Sequence, residues 1–375
     1  MTVPASPVMT GLDFEHRSEA VTVRFARGAL ASLADVLDRS GLQAPLVVCS
    51  PEQEDLGRHA AGLLGDGCVG VHAEAVVHVP ATVAATGVEE ARRLGTGALV
   101  AVGGGSATGL AKAVALETGI PIVAVPTTFA GSEMTPIWGM TDRGVKRTGR
   151  SPRVRPVAVV YDPALVDGLP VPVAVASGIN ALAHAAESLW APDRSPITEL
   201  LAREGIRAMT TALPALTGSS DDDAAWDEAL YGAWLCGSCL GSTAMGIHHA
   251  LCHALGGTLD LPHAQTHAVV LPVVLELQRT RDPDAIAAYA EAAGTAPDGP
   301  ADALRDLARR GGVPTTLAQL GVRTTDVDRV VPNVHLAPAL QRTWTPADTG
   351  AALHRALGAP RPATAPEAAH EEQTR

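Results

Sequence analysis

Aromatic side chains are scarce in this 375-residue chain: three Phe, three Tyr and five Trp, or 3% of the residues. So few rings argue against the stacking platforms on which proteins hold nucleobases. Positive charge is also short, with Lys+Arg 28 against Asp+Glu 40 and a formal net charge of −12. That balance argues against nucleic acid or an anionic membrane as the main partner, and a small anionic substrate must then be held by local basic groups. Lysine is nearly missing, Lys112 and Lys146 being the two. The apolar runs at 98–102 and 120–125 are far too short to cross a bilayer. Residues 1–7 have neither the basic head nor the apolar stretch of a secretory signal. Five cysteines, an odd number, fit a reduced, cytoplasmic protein better than a disulfide scaffold. Cys236 and Cys239 have the redox C-x-x-C spacing. They lie inside a helical pattern rich in Ala and Leu, with no second pair to complete a zinc site, so packing of small residues is the expectation there.

What the chain does have is apolar content, 46%, and room for two domains. Short β-runs near 21–25, 45–49, 75–79, 98–102, 122–125 and 157–161 alternate with helical periodicity at 29–39, 52–64, 81–94 and up to 117. Alternation of this kind predicts a parallel, doubly wound, Rossmann-like sheet. After Asp162-Pro163 the β-runs nearly cease, and from about 174 the periodicity is helical. The expected organisation is an α/β dinucleotide-binding domain over 1–163, an all-helical catalytic domain over 164–358, and a Pro-, Ala- and Glu-rich disordered tail over 359–375.

Gly103, Gly104, Gly105 and Ser106 follow a buried strand and open a helix. Without Cβ atoms the backbone N–H groups can approach a diphosphate, and the helix N-terminus adds a favourable dipole. Thr127, Thr128 and Ser132 follow the next strand at the same edge of the sheet, where hydroxyls can bond ribose or amide groups. Two such loops point to a dinucleotide. The strand that should read the adenosine ribose ends in Ser50-Pro51, without the acidic residue that repels a 2′-phosphate, so the choice between NADH and NADPH stays open.

Five of the 13 histidines, His248, His249, His253, His263 and His267, fall within 248–272. His249 and His253 are four apart, as are His263 and His267, so each pair occupies one helix face. Gly256-Gly257 is read as the end of the first helix and Pro262 as the first turn of the next. Asn180 and His184, also four apart, open the helical domain and could join His249 and His263 in one cluster. Three imidazoles can hold zinc, but an Asn amide adds no charge to such a site.

Taken together these motifs resemble the iron-containing alcohol dehydrogenase superfamily, and within it the maleylacetate reductases. The carrying residues are Val102-Gly-Gly-Gly-Ser106, Ala115-Leu-Glu-Thr-Gly119, the run from Val125 to Gly139, Ser177-Gly-Ile-Asn-Ala-Leu-Ala-His184, and the stretch 248–272. The resemblance implies that Gly103, Gly104, Gly105 and Ser106 bind the cofactor diphosphate and that Thr127, Thr128 and Ser132 line its nicotinamide side. Metal-dependent relatives use an Asp at the place of Asn180 with three histidines matching His184, His249 and His263. The reductases carry Asn there and are thought to work without metal. It further implies His253 near the nicotinamide as a proton donor, Lys146 near the cofactor ribose and active site, and a homodimer. Ala250, Gln265 and Val273 depart from the reductase pattern, which usually reads Lys, Glu and His at those places.

The expected chemistry is hydride transfer from NADH or NADPH to the activated C=C bond of maleylacetate, giving 3-oxoadipate, or of a related unsaturated oxo acid. His253 would give the proton, and His184, His249 and His263 would hydrogen-bond the oxyanion or a carboxylate. Arg143, Lys146, Arg147, Arg150, Arg153 and Arg155 form a basic segment that could serve as an anion-binding rim, with a solvated loop as the alternative. Glu133 and Glu187 either orient imidazoles or are simple surface carboxylates. Two other readings stand beside this one. A metal-dependent alcohol dehydrogenase or carbonyl reductase would carry stoichiometric iron or zinc. A nucleotide-binding protein without catalysis would bind NADH and turn nothing over.

Overall fold

The computed structural model describes residues 14, 16, 20–142, 145–341 and 344–358, with the side chains of 146, 338 and 339 outside that description. Six strands form a parallel sheet in the order β1-β8-β5-β4-β2-β3. They are β1 (Thr22–Phe25), β2 (Pro45–Val48), β3 (Gly70–His72), β4 (Ala98–Gly103), β5 (Ile122–Pro126) and β8 (Ala158–Tyr161). Four helices cover them: α1 (Leu33–Arg39), α2 (Glu54–Leu64), α3 (Ala81–Arg93) and α4 (Gly105–Thr118). The four inner strands β2, β4, β5 and β8 are buried on both faces, which is why they read as unbroken apolar runs rather than alternating ones.

Successive residues point to opposite faces. Val47, Val100, Val123 and Val160 pack with residues of α1 and α2 on one side. On the other side Leu46, Leu99 and Ile122 meet α3 and α4, while Ala124, Val159 and Tyr161 join the core of the helical region. That region is α5 (Val171–Leu189), α6 (Pro196–Gly218), α7 (Asp223–Ser242), α8 (Ile247–Leu259), α9 (His263–Arg281), α10 (Pro283–Ala292), α11 (Pro300–Arg310), α12 (Thr324–Val330), α13 (Pro338–Gln341) and α14 (Pro346–Ala356). Among the described residues no helix is long and apolar enough to cross a membrane.

Two expectations are corrected and two open alternatives are narrowed. The apolar stretch 75–79 is not a strand: Val77 is 72% exposed, His78 and Val79 have φ of 65° and 44°, and the edge strand is the earlier β3. Gly256-Gly257 does not end its helix. α8 runs on to Leu259 and stops at Asp260, whose φ of 55° is left-handed, and Pro262 stands just before α9 rather than in its first turn. The basic segment 143–155 is not a loop throughout, because Ile137–Asp142 (β6) and Val145–Arg150 (β7) form an antiparallel hairpin. Glu133 and Glu187 are not surface carboxylates, being 2% and 0% exposed. The expected tail 359–375 lies outside the described residues.

Candidate active site

The direction in which successive strands are added reverses between β2 and β4: β3 lies outward of β2, and β5 lies on the far side of β4. Ligands of open α/β sheets sit at such a switch point, beyond the carboxyl ends of the strands. Here that end of β4 is Gly103, with φ of 142°, where an added Cβ would lie 2.6 Å from Gln53 Oε1. A Cβ on Gly104 would lie 3.0 Å from Thr128. No side chain caps α4, so its first N–H groups are left for an anion. Gln53, which sequence reasoning missed, donates to Thr127 Oγ1 at 2.8 Å and ties the turn after β2 to the loop after β5.

The loop after β5 spans two territories. Thr128 lies against Gly104 at one end, and at the other an added Cβ on Gly131 would lie 3.2 Å from His184 Nδ1 and 3.1 Å from the Cα of Gly237. Lys112 fastens the rest of it. Its Nζ reaches the carbonyl oxygens of Ser132 at 2.6 Å, Thr135 at 2.8 Å and Ile137 at 2.8 Å, and lies 3.3 Å from Ser132 Oγ. Burial pulls this ammonium down to about 7, against the raising influence of Glu133. Glu133 in turn accepts from the Tyr161 hydroxyl at 2.8 Å, and burial raises its carboxyl.

Beyond Gly131 the imidazoles follow one another. Ring centroids are 5.1 Å apart for His184–His249, 4.9 Å for His249–His267, 4.3 Å for His263–His267 and 6.2 Å for His253–His263. His184, His248 and His267 are fully enclosed, and burial first, then the neighbouring histidines, holds all three well below the usual imidazole range. They are neutral imidazoles at neutral pH. His249 is anchored by Glu187, whose Oε2 lies 2.6 Å from His249 Nδ1 and 2.9 Å from Gly246 N, while Oε1 accepts from His248 N at 2.7 Å. This leaves His249 Nε2 as the outward atom. Asn180 Oδ1, His184 Nδ1, His249 Nε2 and His267 Nε2 are buried and have no hydrogen-bond partner among the described residues. Unpaired polar atoms gathered in one place are the mark of a ligand site.

His253 and His263 are exposed instead, and both line a cleft of ≈ 1240 Å³ whose walls also include Thr141, Thr148, Ala250 and Arg329. Ala250 thus brings no charge to the wall at the place where the reductases usually carry Lys. Val273, where they carry His, is a core residue at 4% exposure. Lys146 stands in β7 opposite Thr141, and its side chain lies outside the described residues. Among the described residues, the potential metal ligands whose atoms all come within 4.8 Å of one another are His248, Cys252 and His267, not His184, His249 and His263. His248 and His267 pair directly, Nε2 to Nδ1, at 3.0 Å. A sequence signal for Glu187 existed in its spacing, three residues after His184 on one helix face. None marked His248 or His267 as a pair.

The C-x-x-C segment serves packing. Cys236 and Cys239 are enclosed, burial pushes both thiols up, to about 12 for Cys239, and both are free. Gly237 between them lets α7 press on the Gly131 loop.

The family model for the iron-containing alcohol dehydrogenases matches residues 20–163, and that for the C-terminal part of the same family matches 174–349. Maleylacetate reductase of Burkholderia cepacia is 50% identical over 316 residues, 84% of this chain and 88% of that protein. The enzyme of that name from Pseudomonas knackmussii is 48% identical over 85% and 90% of the two chains. The crystal structure of maleylacetate reductase from Agrobacterium tumefaciens superposes with a TM-score of 0.87 at 42% identity, covering 94% of this chain and all of that one. The chain therefore belongs to the iron-containing alcohol dehydrogenase family, as an NAD(P)H-dependent oxidoreductase on the branch of the maleylacetate reductases.

Proposed function

We propose that the chain reduces the C=C bond of maleylacetate to give 3-oxoadipate, or that of a closely related unsaturated oxo acid, with NADH or NADPH and without a metal. The observation that carries this is the set of buried polar atoms without a partner among the described residues, Asn180 Oδ1, His184 Nδ1, His249 Nε2 and His267 Nε2, with His249 anchored by Glu187. Such groups supply oriented hydrogen bonds to a developing oxyanion and need no cation to do so.

Gly103, Gly104, Gly105 and Ser106 would hold the cofactor diphosphate through backbone N–H groups, and Thr127, Thr128 and Ser132 would line its nicotinamide side. A dihydronicotinamide held there would supply the hydride that the alkene carbon β to the ketone takes up. The π pair then moves onto the ketone oxygen as an enolate, which His184, His249 and His263 stabilise by hydrogen bonds. His253, on the cleft wall, gives a proton to the carbon α to the ketone, and the carbonyl re-forms. Lys146 is assigned to the ribose side on the family resemblance alone.

A metal would have to be held by His184, His249 and His263 with Asn180. That set fits a tightly bound divalent cation poorly. The amide brings no charge, and these three histidines do not gather within 4.8 Å as His248, Cys252 and His267 do. The test is NADH oxidation with maleylacetate before and after a strong chelator. Turnover unchanged by chelator is the expected result. Turnover abolished by chelator and restored by Fe²⁺ or Zn²⁺ would replace the reading with a metal-dependent one.

A further inference from the structure

A six-carbon dicarboxylate brings two negative charges into a protein of net charge −12. Each carboxylate needs donors. Lys112 is spent on three carbonyl oxygens beneath the loop after β5. In the basic segment, Arg150 and Arg155 donate to Gly241 O at 3.1 and 3.3 Å, and Arg147 lies 3.8 Å from Asp142. Among the described residues the hairpin offers the cleft Thr141, Val145 and Thr148 rather than an arginine. Among the described residues, the guanidinium groups that line the cleft with His253 and His263 belong to Arg323 and Arg329.

These two arginines are set by one carboxylate. Asp326 lies 3.3 Å from Arg323 Nε and 3.1 Å from Arg329 Nη1, and a bond from Arg323 N at 3.0 Å fixes it to the start of α12. Its side chain is 8% exposed, while those of Arg323 and Arg329 are 77% and 60% exposed. Two cations around one anion leave a net charge of about +1 and several N–H donors facing solvent. Asn333 braces the same wall, donating to Thr258 Oγ1 at 3.1 Å and to Arg329 O at 2.9 Å. Thr258 stands on α8, the helix that carries His249 and His253, so the arginine pair is held in register with the imidazoles.

We propose that Arg323 and Arg329, oriented by Asp326, form the subsite for one carboxylate of the substrate and set the preference for dicarboxylates. The assignment rests on the oxo-dicarboxylate reading given above. A planar guanidinium pair suits a carboxylate through charge-assisted, bidentate hydrogen bonds. The same chemistry would accept a cofactor phosphate, so both sources enter the test.

Arg323→Gln and Arg329→Gln are compared with the full-length wild type in three measurements: KM and kcat for maleylacetate, the Kd of adipate as a non-reacting dicarboxylate probe, and the Kd values of NADH and NADPH. Expected is a rise of about 10–100-fold in KM and in the adipate Kd, with kcat within about 3-fold and both cofactors binding as before. Unchanged KM and adipate Kd would overturn the assignment. So would a loss confined to NADPH, which would make the site a phosphate site. If a Gln variant does not fold, Arg323→Lys and Arg329→Lys keep the charge and remove the fork, and about tenfold weaker adipate binding is expected. A wild type that binds adipate through these arginines but leaves maleylacetate untouched would sink the substrate and spare the subsite.

Discussion

The loop after β4 and the histidine cluster of α5, α8 and α9 both offer polar groups to a ligand, but from different material. At Gly103–Gly104 the offer is backbone N–H, and side chains are excluded because any Cβ would strike Gln53 or Thr128. In the helical region the offer is imidazole nitrogen, and its direction depends on a buried carboxylate three helices earlier in sequence. A backbone site needs only local geometry. A side-chain site needs a scaffold for each atom, so its essential residues extend beyond those that touch ligand.

The sharpest way to break this contrast is at Gly103. Gly103→Ala places a side chain at φ 142° and into Gln53, a conformation that costs about 1–3 kcal/mol before any contact is lost. We expect NADH affinity to fall by about 100-fold or more in a fluorescence titration, with turnover falling in parallel. Unaltered NADH binding would show that the diphosphate does not lie on this loop.

Glu187→Gln tests the other region. The carboxylate accepts three N–H bonds with two oxygens, and the amide offers one oxygen and one NH₂, so at least one donor must face another donor. Activity should drop about 10–100-fold, the scale at which orienting partners of active-site histidines act. NADH affinity should stay near wild type, since the cofactor loop shares no bond with Glu187. Equal losses in binding and turnover would mean that the two regions are one.

The same contrast explains what the sequence could tell. Gly103–Ser106 stood out because the chemistry lies in a contiguous string, and the apolar strands before it allow one reading. His249 and His253 were legible because helical spacing alone puts them on one face. Glu187 remained ambiguous, since a carboxylate on a helix is exposed or buried according to what packs over it, and α8 does so from 61 residues away. Arg323 and Arg329 gave no signal, because the segment 143–155 holds more positive charge and drew the anion site to itself. There the β6–β7 pairing turns Arg150 toward Gly241, which no local pattern encodes. Strand 75–79 failed for the converse reason: apolar residues in a turn resemble a buried run until the partner strand is known.

The smallest effect separates glycine from cysteine in the C-x-x-C segment. Cys236→Ala and Cys239→Ala each remove one buried sulfur from packed surroundings, about 1–2 kcal/mol by the cost of small core deletions, and should leave turnover unchanged. Gly237→Ala adds one carbon where the Cα of Gly131 is 3.0 Å away and its carbonyl oxygen 3.2 Å. Neither backbone can yield without moving the loop that abuts His184, so the addition should cost more activity than either deletion, about tenfold in kcat, while Tm falls only a few degrees. Thermal melts and steady-state rates on the three variants decide the matter. If the cysteine variants lose the activity and the glycine variant keeps it, the thiols have a chemical role that their burial argues against.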